Sequence, residues 1–389
     1  MITTDAYGRF VGEKTYAGAA ARKMASVASA MRSVGHRAII VSLPFVGTTA
    51  RRAFYSSVVT LEGRTPAVFL ATLRSKYLRK IFGPLFLAVF ACRHVGIGDT
   101  VVLYNHAVEY IPALMVLRLR RVNVVQDIED APTNHEKGVR GWANRVSFAA
   151  TFKLTNSKKM VVADHVAREL NLDDCVVIHG VASDDVGTSY RSDTVKWDEL
   201  HAGGTLKVHF GGTLIPETGV DLFCEAVELL AQDENRLDRH VAFMVTGIGE
   251  LNKVRDLQSR IRASRKVNVE FLPELSKPDY IALIAMCHGS LSLKRPGSLI
   301  ASTTFPSKVI EITAAGLALV CTRLGDVTSL FSDESAYFLP RYEPADLAEV
   351  ILDMARDPDR VEKTARTGLD LCKHTFSMKT VGEAMTKLV

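Results

Sequence analysis

Short apolar runs with strand character alternate with helix-patterned segments along the chain, and the alternation halts once and restarts. Such alternation specifies parallel sheets of the α/β class, because each parallel crossover needs an element, usually a helix, to carry the chain back. In the first half the strand candidates are residues 38–43, 100–104, 122–126, 154–156 and 175–178. Helical patterns cover 17–34, which stops at Gly35, and 107–120; a glycine in that place is a common helix terminator. Polar residues then dominate 182–189 and 193–204, ending in Gly203-Gly204, and read as a linker. Beyond it, strands are expected at 206–210, 241–246, 267–272, 290–293 and 317–322, and helices at 220–232, 280–287 and 307–315. Gly211-Gly212 reads as the turn that closes the first of these strands. Two such arrays predict two Rossmann-like βαβ domains, 1–185 and 186–375, facing across a cleft. Ligands of open α/β sheets bind at the C-terminal ends of strands, so the cleft is the expected site.

Several classes of function are excluded. A chain of 389 residues can bury two cores without disulfides or metals. Cys92, Cys175, Cys224, Cys287, Cys321 and Cys372 form no C-x-x-C pair and mostly lie in apolar runs, as expected of core thiols in a reducing compartment. No structural metal is expected. The first residues lack a basic segment followed by an apolar one, and no apolar run is long enough to span a bilayer. Gly-x-Gly-x-x-Gly after the first strand and Gly-x-x-x-x-Gly-Lys-Ser/Thr are both absent, which argues against dinucleotide dehydrogenases and P-loop enzymes. Charge is uneven: residues 1–200 hold 26 Lys and Arg against 18 Asp and Glu. A basic first half points to an anionic partner or to an unevenly charged solvated face.

The most informative stretch is Thr303-Thr304-Phe305-Pro306-Ser307-Lys308-Val309-Ile310-Glu311-Ile312-Thr313-Ala314-Ala315-Gly316. Phe305-Pro306-Ser307 should end a loop and open a helix whose N–H groups face outward, a place that suits a diphosphate. Lys308 adds a point charge there. Glu311, one turn on and on the same face, can accept hydrogen bonds from a ribose diol. The alternative is a buried helix carrying a surface Lys–Glu pair.

This stretch resembles the donor-binding segment of glycosyltransferase family 4 and its retaining GT-B relatives, which often read Phe-Pro-x-Lys-x-x-Glu-x-x-Ala-x-Gly. The resemblance assigns ribose binding to Glu311. It extends through Phe210-Gly211-Gly212-Thr213, Glu217-Thr218-Gly219-Val220-Asp221-Leu222, Val245-Thr246-Gly247-Ile248-Gly249-Glu250 and Val269-Glu270-Phe271-Leu272-Pro273. It also implies that 376–389 forms a last helix crossing back to the N-terminal domain. Three charges of the family pattern are replaced. Thr303 stands where a second glutamate is usual, and Thr213 and Thr218 stand where an arginine and a lysine grip the diphosphate. Lys294 and Arg295 are the nearby residues able to restore positive charge.

In the first half the resemblance is thinner. Gly12 or Gly18 can serve as the glycine loop facing the donor phosphate. His106, after the strand at 100–104, is a candidate for acceptor or sugar contact, or else a structural histidine. Asp127, Glu129 and Asp130 follow the next strand and are candidates for binding acceptor hydroxyls; a metal role is disfavoured. Residues 74–86 are basic and then apolar, which suits either an anionic membrane surface or an ordinary helix with its apolar face in the core. The reading is therefore a cytoplasmic retaining glycosyltransferase, either free or peripheral at the inner face of the membrane. It would be independent of metal and cofactor, taking a nucleotide-diphosphate sugar and a glycan, lipid-linked or other small acceptor. Its alternatives are a non-catalytic GT-B-like subunit of a polysaccharide assembly and a nucleotide-sugar epimerase. Nucleic acid is not an expected partner.

Overall fold

The computed structural model describes residues 14–15, 18–46, 52–62, 65–129, 138–156, 158–182, 194–272, 275–298, 301 and 305–389. The chain separates into two compact units: residues 1–181 with 378–389, and residues 182–377.

The first unit opens with β1 (Lys14–Thr15) and α1 (Gly18–Ser33), followed by β2 (Ile40–Ser42) and β3 (Phe45–Val46). Next come β4 (Phe54–Tyr55), β5 (Val58–Glu62), β6 (Thr65–Phe69) and β7 (Thr72–Leu73). The long helix α2 (Lys76–His94) leads to β8 (Thr100–Tyr104), α3 (Ile111–Leu119) and β9 (Asn123–Ile128). Then follow α4 (Gly138–Leu154), β10 (Lys159–Val161), α5 (Asp164–Glu169) and β11 (Cys175–Val177). Strands β11-β10-β9-β8 form one parallel sheet, and β2-β6-β5 form a mixed one in which β2 runs parallel and β5 antiparallel to β6. Strand β9 is apolar at Val124 and Val125 and buried on both faces, as a central parallel strand should be. The end of the chain belongs to this unit. Val381, Met385 and Leu388 pack against Val27, Ala30 and Met31 of α1, and Asn123 Nδ2 donates to the Leu388 carbonyl at 2.8 Å.

The second unit contains α6 (Thr194–His201), β12 (Leu206–Leu214), α7 (Val220–Gln232), β13 (Val241–Gly249) and α8 (Leu251–Arg260). It continues through β14 (Val267–Leu272), α9 (Lys277–Met286), β15 (Gly289–Ser292), α10 (Lys308–Ala314), β16 (Ala318–Thr322) and α11 (Gly325–Leu330). It closes with β17 (Tyr337–Leu339), α12 (Pro344–Arg356) and α13 (Pro358–Thr375). The strands make one parallel sheet in the order β14-β13-β12-β15-β16-β17. Helix α7 buries Val220, Phe223, Ala226, Val227 and Leu230, a 3.6-residue stripe. Phe223 stacks on Phe210 at 4.6 Å and meets Phe243 edge-on at 5.5 Å. Burial of such a ring stabilises by roughly 2–3 kcal/mol.

Two expectations are corrected. Residues 154–156 are not a strand: Leu154 ends α4, and the Thr155 amide still donates to the Thr151 carbonyl. The strand is β10, whose Lys159 is buried because its ammonium donates to the Phe152 carbonyl (3.0 Å), to Thr155 Oγ1 (2.6 Å) and to the Asn156 carbonyl, capping α4. Nor do Gly211 and Gly212 close a strand. They continue β12, pairing with Thr246 and Gly247, because β13 also runs on through glycines. Among the described residues no helix is long and apolar enough to cross a membrane.

Candidate functional site

In the second unit the C-terminal ends of β12 and β13 form a glycine platform. Gly212, Gly247 and Gly249 have φ of +107°, +128° and +124°, values that side chains other than glycine's rarely adopt. A methyl on Gly247 would overlap the carbonyl of its ladder partner Gly212, so this strand end has no room for a side chain there. A methyl on Gly212 would lie 2.5 Å from Lys308 Nζ. The Lys308 ammonium therefore covers the open face of Gly212, although the two residues lie far apart in sequence. Burial holds the Lys308 pKa below its usual value, and Glu311 acts against that shift.

Phe305 is buried and anchors the approach to α10. Ser307 N donates to the Phe305 carbonyl at 2.9 Å, and Val309 N donates to the Pro306 carbonyl at 2.9 Å. These bonds wind the chain into the helix, and the Ser307 side chain makes no cap. Val309, Ile310, Ile312 and Thr313 face the core, while Glu311 is exposed. The sheet end thus gathers Gly211, Gly212, Gly247 and Lys308.

The remaining second-unit candidates have other positions. The Thr218 hydroxyl accepts from Ile215 N at 3.1 Å and reaches the Thr213 and Ile215 carbonyls at 2.5 and 2.9 Å. It is consumed by its own turn. Thr213 is exposed at the strand end. Arg295 N donates to the Glu217 carbonyl at 2.8 Å, and the Lys294 carbonyl accepts from Thr322 Oγ1 at 2.8 Å, so this loop is tied to the Thr218 turn and to β16. The Arg295 side chain is exposed and that of Lys294 half-buried. Thr303 lies outside the described residues.

Sequence reasoning missed His209, directly beneath the platform. Its Nδ1 lies 3.0 Å from Ser290 Oγ and its Nε2 2.9 Å from Thr246 Oγ1, and its ring meets Tyr280 edge-on at 5.8 Å. Burial, reinforced by Lys308, pushes its pKa down to about 3, so the imidazole is neutral. A methyl on Gly211 would lie 2.6 Å from His209 Nε2, so this glycine makes room for the histidine. The visible signal was a polar residue at a strand position one residue before two glycines.

In the first unit, Asn105 follows β8 with φ +59°, and its N–H donates to the Asp127 carbonyl at 2.7 Å. His106 is clamped between Asn105 Oδ1 (3.0 Å from Nδ1) and Asn144 Oδ1 (2.8 Å from Nε2), edge-on to Phe148. Asp127 is fully buried, with Lys23 Nζ of α1 at 3.1 Å from both its oxygens. Lys23 also pairs with Glu129. Burial raises the Asp127 pKa and Lys23 opposes it. One lysine that sequence reasoning did not single out thus bridges both carboxylates. Asp130 and Gly12 lie outside the described residues; Gly18 is the first residue of α1.

Two units, each built on a parallel sheet with helical crossovers, give the chain the GT-B fold. Residues 205–357 match the family model described as glycosyl transferases group 1, so the second unit carries that transferase domain. No curated protein matches the chain by sequence. Among solved structures, the chain is similar to a glycosyltransferase from Rickettsia africae, with 14% identity, TM-score 0.66, and 94% of this chain and 93% of that one covered. It is similar to HepE of Anabaena in complex with UDP, with 12% identity, TM-score 0.64 and 95% of each chain covered. Sucrose-phosphate synthase from Thermosynechococcus elongatus gives 11% identity, TM-score 0.63, and 93% and 90% coverage. At these identities the likeness is one of fold.

Proposed function

We propose that the chain is a metal-independent, retaining glycosyltransferase that moves a sugar from a nucleotide-diphosphate sugar to a hydroxyl of a glycan, lipid-linked or other small acceptor. The observation that carries this is the Lys308 ammonium held against the Gly212 backbone, inside the segment that matches the transferase family. A diphosphate departing from the anomeric carbon gathers negative charge, and a fixed cation beside a backbone stripped of side chains stabilises it. Glu311, exposed one turn along α10, is the ribose ligand in this reading. HepE is solved with UDP and with UDP-glucose, which favours a uridine donor here. His106, fixed by two asparagines, is the proposed contact for sugar or acceptor. The six unpaired thiols support a reducing, cytoplasmic setting.

One observation favours a second reading, a non-catalytic GT-B subunit: neither Thr213 nor Thr218 brings charge, and the Thr218 hydroxyl is consumed by its turn. One experiment separates the two. A panel of nucleotide sugars is screened by thermal shift, and nucleotide release is measured for the wild type and for Glu311→Gln. The enzyme reading expects a stabilising donor, slow release of nucleotide, and affinity weakened about 10- to 100-fold in Glu311→Gln, the worth of hydrogen bonds to a charged group. Binding without release supports the subunit. No stabilising nucleotide sugar, or equal binding by Glu311→Gln, overturns the donor-site assignment.

A further inference from the structure

Helix α2 turns its apolar residues outward. Tyr77, Leu78, Ile81, Phe82, Leu85 and Val89 are between 40% and 80% exposed. Tyr77, Ile81, Leu85 and Val89 recur every fourth residue, and Leu78 and Phe82 lie beside them, so the six make one stripe along the helix. The opposite side is already satisfied: Gly83, Pro84 and Ala91 are buried, and Leu87 and Ala88 pack on the cluster that holds Leu114, Leu117 and Val124. The core therefore does not claim the stripe. Single exposed apolar side chains are ordinary, but a contiguous row of six implies something that covers it.

Charge identifies the cover. Between Glu62 and Asp99 the sequence has no acidic residue and six basic ones, Arg64, Arg74, Lys76, Arg79, Lys80 and Arg93. Of these, Arg74, Lys76, Lys80 and Arg93 are exposed on or beside α2. A second copy meeting this face across a two-fold axis would bring the same basic side chains together with no carboxylate from this segment to offset them. A surface that is apolar within and anionic at its rim satisfies both features at once, and that is an acidic lipid bilayer.

We propose that α2 lies in the plane of an anionic membrane, with Tyr77, Ile81, Phe82, Leu85 and Val89 among the acyl chains and the exposed Arg74 and Arg93, at the two ends of the helix, at the phosphate level. This docking rests on the first unit alone and does not depend on how the second unit handles a nucleotide.

The test is co-sedimentation of the full chain with vesicles of phosphatidylcholine alone and of phosphatidylcholine mixed with phosphatidylglycerol. Wild type should bind the mixed vesicles, bind the neutral ones far less, and be released by salt. Arg74→Gln/Arg93→Gln should weaken partitioning about 25-fold, roughly fivefold per basic side chain. Ile81→Glu/Leu85→Glu should abolish it while thermal unfolding and any nucleotide-induced shift stay at the wild-type value, since both positions are exposed. Absence of binding to the mixed vesicles at low salt overturns the proposal. Binding unaffected by either pair of substitutions does the same. A dimer in sedimentation velocity that Ile81→Glu/Leu85→Glu dissociates would give the stripe to a second copy instead.

Discussion

Lys308→Met separates a functional lysine from a structural one, because the two roles predict opposite signs. The Nζ lies 2.5 Å from where a Gly212 methyl would be, which places it within about 4 Å of the Gly212 Cα. An anion resting on this backbone is then about 4 Å from the ammonium, where unit charges in a partly screened site attract by roughly 4 kcal/mol. Part of that is lost as the ammonium gives up its remaining water. A net of about 1.5–3 kcal/mol remains for a charge-assisted hydrogen bond, equivalent to a 10- to 150-fold loss of nucleotide affinity in the methionine variant. Folding should respond the other way. Burial lowers the Lys308 pKa from 10.5, so the folded chain holds this proton less well than the unfolded chain does. The cost is therefore complete below the folded pKa and fades as pH rises towards 10.5. Methionine removes the cost, so the variant should unfold at or above the wild-type temperature near neutral pH, with the gap closing in alkali. Calorimetric titration with UDP and thermal unfolding across alkaline pH measure the two effects. A variant that unfolds at lower temperature and binds UDP as well as wild type would refute the reasoning.

Two further outcomes follow from the same platform. Gly247→Ala meets the Gly212 carbonyl at φ +128° and should lower the melting temperature by about 10 °C or leave the chain insoluble, whereas Gly297→Ala, at φ +73° with open space around it, should cost only about 1 kcal/mol; thermal unfolding of the two compares them. His209 has its pKa depressed from 6.5 to about 3, so the unfolded chain gains this proton first and stability falls as pH drops through that window, at up to about 1.4 kcal/mol per pH unit; His209→Gln should show a shallower acid decline in chemical denaturation.

The alternation of short apolar runs with helical patterns was enough to read two parallel α/β arrays, because period and length decide element type locally. Every second-half strand expected from sequence lies within or beside an observed strand of the six-stranded sheet. Errors arose where tertiary context overrode the local pattern. Leu154-Thr155 looks extended, yet a lysine from the following strand caps it as a helix end. Lys159 looks like a surface residue, yet the helix carbonyls draw it inside. Gly211-Gly212 reads as a turn because glycine punctuates strands, and only a matching glycine run in β13 makes it a ladder. The small antiparallel pairings of β4 with β7 and of β5 with β6 were not foreseen, since these segments carry little apolar periodicity. The ion pair of Lys23 with Asp127 joins residues 104 positions apart, beyond the reach of any local window.

The charges replaced by Thr213 and Thr218 bear on how the proposed donor face would work. Thr213 and Thr218 supply no cation, and Thr218 is committed to its own turn. Positive charge at this strand end comes instead from Lys308, reaching across from α10 to Gly212. Burial disfavours the Lys308 charge more than Glu311 favours it, and an aliphatic side chain would satisfy the core better. His209 beneath it is held neutral, in part by that same ammonium, and so cannot share the load. Under the proposed donor-site reading, a lysine kept at this glycine-lined strand end against the cost of its own burial is what a diphosphate would need, because the anion would supply the counter-charge on binding.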